Sequence, residues 1–108
     1  MKYTIIYSPE SLDDLRSIYS YIRFELLSPQ AAENTVGTIR KEIRKLDVFP
    51  ESHRQVEWEP WASMGMRIMQ VKNYVVYYLI DKNTAIVSIV RVFYGGRDVE
   101  RIIQEEYE

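Results

Sequence analysis

Four side chains in the second half of the chain, Arg67, Lys72, Tyr94 and Arg97, have the chemistry to act on a phosphodiester. Cleaving one requires a group that moves a proton and cations that stabilise the negative charge developing on phosphate. Arginine and lysine supply the charge and tyrosine the proton, so Arg67, Tyr94 and Arg97 are the candidate catalytic residues, with Lys72 in support. Each also has a plainer reading. Arg67, two residues after Gly65, is equally a strand-end arginine that reaches solvent or pairs with an acid. Tyr94, like Tyr74, Tyr77 and Tyr78, reads as an aromatic of a half-buried sheet. Gly95-Gly96-Arg97 forms either a backbone anion nest or a simple turn leaving a strand.

Other chemistries have less to stand on. His53 is the only histidine, and there is no cysteine, which removes histidine pairs, thiolate nucleophiles, disulfides and thiolate metal sites. A serine triad would have to be built on His53, and no Gly-x-Ser-x-Gly elbow accompanies it. Beside Arg54 and Glu57 in a stretch without periodicity, His53 reads as a surface residue. Trp58 and Trp61 serve either as a partner anchor or as a lid on the protein's own core. No metal and no cofactor is expected. The 14 basic and 16 acidic residues give a net charge of −2, whereas phosphate-gripping proteins carry a basic excess, so autonomous nucleic-acid binding is not expected. Charge is nonetheless uneven, with Arg40, Lys41, Arg44 and Lys45 clustered and acids gathered at Glu105, Glu106 and Glu108.

The elements that must position these groups can be read from periodicity. Arg67–Val71 and Tyr74–Ile80 are rich in β-branched and aromatic residues and are separated only by Lys72-Asn73, which makes an antiparallel hairpin whose positive φ would fall to Asn73. Asp81-Lys82-Asn83 then leads to Ala85–Tyr94, a run so continuously apolar that it reads as a central strand covered on both faces. Upstream, Lys2–Tyr7 reads as a strand, and Ser8-Pro9-Glu10 supplies a helix cap, a proline at the first helical position and a first-turn acid. Leu12, Leu15, Tyr19, Ile22 and Leu26 stripe a helix ending near Leu27. Ser28-Pro29 starts a second, striped by Ala32, Val36, Ile39, Ile43 and Leu46 and closed by Phe49-Pro50. Residues 51–64 read as a long ordered loop, and Val99, Ile102, Ile103 and Tyr107 line a short C-terminal helix. The expected fold is a single α+β domain over residues 1–108. An N-terminal strand and an α-helical hairpin pack on an antiparallel sheet of about four strands, followed by that last helix. With no apolar run near membrane-spanning length and no signal peptide, a cytoplasmic protein is expected.

This order of elements resembles the RelE/ParE family of toxins from bacterial type II toxin–antitoxin systems. The resemblance is carried by Ile43–Pro50, Gly65-Met66-Arg67, Asn73–Tyr78 and Arg91-Val92-Phe93-Tyr94-Gly95-Gly96-Arg97-Asp98, over roughly residues 2–98. It implies a small toxin held silent by a cognate antitoxin that wraps it. Two activities diverge within the family, and the chain looks closer to the ParE branch, which inhibits DNA gyrase, than to the RelE branch, which cuts messenger RNA on the ribosome. In the RelE-like pattern an arginine follows the aromatic that opens the second meander strand. Here Val75 follows Tyr74, and valine cannot hold a phosphate. The ParE-like reading implies target contacts near the last strand and tail, at Arg91, Arg97 and Arg101. The alternatives are a ribosome-dependent mRNA endoribonuclease using Arg67 and Arg97, and a degenerate member that only binds its antitoxin.

Overall fold

A computed structural model describes residues 2–106, so Tyr107 of the expected last helix and the acid Glu108 lie outside the described residues. The chain runs β1 (Thr4–Tyr7), α1 (Pro9–Ser20), a π-helical turn (Tyr21–Glu25), α2 (Pro29–Arg44), α3 (Trp61–Met64), β2 (Arg67–Val71), β3 (Tyr74–Asp81), β4 (Ile86–Tyr94) and α4 (Val99–Glu106). Short 3₁₀ turns occupy Lys45–Asp47 and Pro50–Ser52.

The sheet has the order β1-β4-β3-β2, and the apolar β4 is interior as its composition requires. β2, β3 and β4 form the expected antiparallel meander. β1 instead pairs parallel to β4, with Thr4 opposite Ile86 and Tyr7 opposite Ile89, so the sheet is mixed rather than wholly antiparallel. The paired helices cross one face and deliver the chain to the far edge. There β2 starts in the direction of β1, and two hairpins bring β4 back into that direction beside it.

Ser8 begins α1 as expected. Its Oγ accepts from the Ser11 N–H at 3.0 Å, and Pro9 occupies the first helical position. The helix does not continue regularly to Leu27. After Ser20 the repeat widens into the π turn, which inserts an extra residue and rotates the next residues off the apolar stripe. Leu15 and Ile22 are buried, but Leu26 is 56% exposed, and Leu27 closes the segment in the left-handed region at φ 53°. In α2, Ala32, Ile39 and Ile43 are buried along the expected stripe, and Leu46 just beyond joins them.

Two cores result. Leu15, Ile39, Ile43 and Leu46 pack on Met69, Val76, Tyr78, Val87 and Ile89 on the helical-hairpin face. On the opposite face Trp61, Met66, Tyr77, Phe93, Val99 and Ile103 form a smaller cluster that includes α3 and α4. The stretch 51–64 is therefore not all loop. It contains α3, closed by Gly65 at φ 77°, and Gln55 bridges Arg67 at the edge of β2. In the first hairpin the positive φ falls on Lys72, at 53°, and not on Asn73. No described helix is long and apolar enough to cross a membrane.

Candidate functional site

The candidate catalytic residues lie at opposite ends of the sheet. Arg67 opens β2 opposite Tyr78, whereas Tyr94 closes β4 opposite Tyr74. Tyr74 and Tyr78 are four positions apart on β3, roughly 13 Å at strand rise. Arg67 is moreover occupied: its Nη1 donates to the His53 carbonyl at 2.6 Å and to the Glu51 carbonyl at 3.1 Å. Beside it the buried Tyr78 hydroxyl donates to the Pro50 carbonyl at 2.6 Å. Burial pushes that phenol up to about 12, with the Arg67 charge opposing the rise and Glu51 adding to it. Arg67 and Tyr78 thus staple the 50–53 turn to the sheet. His53 is half-buried, its ring edge-on to Tyr78 at 6.3 Å, and belongs to this end of the molecule.

Arg91 is also committed. Its Nε lies 2.8 Å and its Nη2 3.1 Å from the Asp14 carboxylate, with Glu106 at 3.4 Å from Nη1, and the Arg91 side chain is only 18% exposed. The main cause of its raised pKa is the hydrogen bond to Asp14. The same Asp14 carboxylate accepts from the Val92 N–H at 2.8 Å, and the Ser8 hydroxyl donates to the Val90 carbonyl at 2.8 Å. β1 ends at Tyr7, and these two α1-side groups take over as hydrogen-bond partners for the edge of β4. Arg91 therefore ties α1 and α4 to the sheet. Arg101 sits on the exposed side of α4, paired with Glu105 at 3.1 Å. Lys72 is exposed in the first hairpin turn.

Tyr94 and Arg97 come together. The Gly95 N–H donates to the Asn73 carbonyl at 2.7 Å, and the Arg97 N–H donates to the Tyr94 carbonyl at 3.1 Å, closing a tight turn. A Cβ on Gly95 would stand 3.1 Å from the Asn73 oxygen, and one on Gly96 3.1 Å from the Tyr94 ring. The paired glycines thus serve close approach. Neither has the positive φ on which an anion nest depends, so the turn reading holds. Arg97 is exposed, its guanidinium 5.3 Å from the Phe93 ring centroid, with no ion-pair partner among the described residues.

Arg97 and Tyr94 line, with Ile18, Ile22 and Val92, a groove of about 710 Å³ between β4 and the end of α1. The rings of Tyr74 and Tyr94 meet edge to face at 5.8 Å. Burial raises the Tyr74 phenol, and the nearby phenols of Tyr94 and Tyr21 raise it further. Neither Asp14 nor the π turn that places Tyr21 and Ile22 beside this groove carries a signal in the sequence, since Asp14 lies off the apolar stripe of α1 next to another acid, Asp13. Trp58 and Trp61 stack at 5.0 Å over Tyr77, and Trp61 is buried, so the pair caps the second core. Among the described residues no group of three His, Asp or Glu side chains is placed to hold a metal.

A family model described as "ParE toxin of type II toxin-antitoxin system, parDE" matches residues 5–99. Among solved structures, the chain is similar to a protein of the chromosomal ParDE system from P. aeruginosa, at TM-score 0.70 and 17% identity over 86% of this chain and 96% of that one. It is also similar to chains of the archaeal RelE–RelB complex from Pyrococcus horikoshii, at TM-score 0.60, 16% identity and coverage of 90% and 99%, and of the RelBE2 complex from Mycobacterium tuberculosis, at 0.57, 18%, 87% and 99%. No curated protein matches the sequence.

Proposed function

We propose a function from one premise: this chain belongs to the ParE toxin family of type II toxin–antitoxin systems. As such a toxin, it acts in our reading by binding DNA gyrase in the cytoplasm and is neutralised by a cognate antitoxin. The observation that carries the non-enzymatic reading is the dispersal of the catalytic candidates. Arg67 is tied through Nη1 to two backbone carbonyls at one end of the sheet, while Tyr94 and Arg97 stand at the other. A nuclease site needs cations and a proton-transfer group converging on one phosphate. Val75, where the RelE-like pattern has an arginine, packs against the second core.

A surface that seizes a protein needs only exposed groups, and Arg97 and Arg101 remain exposed near the last strand and α4. Purified toxin is expected to inhibit gyrase supercoiling and to trap cleaved DNA, with Arg97→Ala weakening both. Primer extension on translated messages provides the opposing outcome. Cuts that depend on this protein and vanish in Arg97→Ala would replace gyrase binding with the endoribonuclease reading.

A further inference from the structure

Trp61 carries an unanswered hydrogen-bond donor. The residue is 1% exposed, and its Nε1–H is the one buried side-chain polar group without a partner among the described residues. Buried donors are ordinarily paired, and an indole N–H can only donate, so whatever completes this one must bring an acceptor. Trp61 also lines a pocket of about 240 Å³ between the start of α1, α3, β4 and α4, whose walls include Glu10, Val90, Arg91, Ile103 and Glu106. Drug-sized ligands occupy about 300 to 1,000 Å³, so this pocket suits a single side chain or a molecule of similar size.

Its lining excludes most occupants. Val90, Ile103 and the indole offer an apolar wall to a short aliphatic chain. Arg91 is already held by Asp14 and Glu106, and Glu10 is exposed with no ion-pair partner among the described residues, so the charged groups around the pocket are negative in sum. A carboxylate brings an acceptor to the indole but meets those acids, whereas an ammonium suits the acids and brings no acceptor. A primary carboxamide carries both, a carbonyl oxygen for the Trp61 N–H and an amide NH₂ for the carboxylate of Glu10 or Glu106. We propose that this pocket binds a primary carboxamide on a short aliphatic chain, the chemistry of a glutamine side chain, with its oxygen accepting from Trp61 Nε1 and its NH₂ donating to the acids. The inference goes beyond the toxin reading and does not depend on it.

The test follows the indole N–H itself by heteronuclear NMR of the isotope-labelled full-length protein. Trp58 and Trp61 are the only tryptophans, and Trp58→Phe assigns their indole signals. N-acetylglutamine methylamide is expected to move the Trp61 signal saturably and to bind roughly tenfold more tightly than the matching glutamate and lysine compounds, the difference between a hydrogen bond made and a polar group left unpaired. Glu10→Gln combined with Glu106→Gln, verified as folded by circular dichroism, is expected to abolish the discrimination against the glutamate compound. Arg91 keeps Asp14 in that variant, and Glu10→Gln alone is expected to act in the same direction if the pair of changes prevents folding. A parallel titration with free glutamine separates a small metabolite from a side chain of another protein, the tighter binder naming the source. Equal responses to the three compounds, discrimination unmoved by either variant, a shift of the Trp58 signal alone, or a Trp61 signal that contacts trapped water and answers to no compound would overturn the proposal.

Discussion

Replacing Asp14 tests whether one helix carboxylate organises the edge of the sheet. Asp14→Ala strips Arg91, whose side chain is only 18% exposed in the intact protein, of its main partner, and removes the acceptor of the Val92 N–H. Breaking a buried ion pair on one side costs about 3 to 5 kcal/mol. Glu106 at 3.4 Å and the residual exposure of the pair moderate that, so a loss of about 3 kcal/mol is expected, including the stranded N–H. Asp14→Asn keeps a carbonyl oxygen for Val92 and lacks only the charge, so it should lose about half as much, roughly 1 to 2 kcal/mol. In urea, with a slope of about 1 to 1.5 kcal/mol per molar for a domain of this size, the alanine variant should unfold roughly 2 to 3 M earlier. A cycle with Arg91→Met should return a coupling of about 1.5 to 3 kcal/mol. A loss below about 1 kcal/mol for Asp14→Ala, or additive effects of the two substitutions, would refute the view that this pair carries the edge.

Three further outcomes are expected. The Tyr78 phenol titrates higher in the folded protein than in the unfolded chain, so its contribution is complete below the unfolded value near pH 10 and disappears as pH rises toward about 12. Chemical denaturation at pH 9 and pH 11.5 should therefore show a steep alkaline loss, of which Tyr78→Phe removes a part worth about 2 kcal/mol, at a cost of about 1 kcal/mol at pH 7 from the lost bond to Pro50. Arg67→Ala should lower the melting temperature by roughly 5 to 10 °C through release of the 50–53 turn, while gyrase inhibition per folded molecule is retained. Leu27→Gly should stabilise the protein by about 0.5 to 1 kcal/mol, because Leu27 holds a left-handed conformation at φ 53° with its side chain 81% exposed; unchanged or lower stability in thermal melts would contradict this.

The parts of the fold that were legible in the sequence are those whose cause is local. The Ser8-Pro9 helix start, the stripe from Ala32 to Leu46, the three strands of the meander and the interior place of β4 all arise from residues within a turn or a strand of one another. The features that were not legible arise over longer separations or from small changes of register. The parallel pairing of β1 depends on how the helical hairpin delivers the chain to the far edge. The π turn shifts Leu26 out of a stripe that regular periodicity places in the core. Trp61 has the composition of a binding residue and lies in a core.

The same distinction explains the arginines. Arg67, Arg91 and Arg97 are alike as letters in the sequence, and partners are what separate them. Arg67 finds its carbonyls 14 and 16 residues away and Arg91 its carboxylate 77 residues away. No pattern in the sequence announces either bond. Each binds a piece of the scaffold, so each is held in one rotamer and withdrawn from outside partners. Arg97 comes after two glycines in a turn closed by backbone bonds, and its guanidinium lies near Phe93 with no carboxylate opposite it among the described residues. Scaffold bonds occupy Arg67 and Arg91, and of the three arginines only the Arg97 side chain is left without one among the described residues.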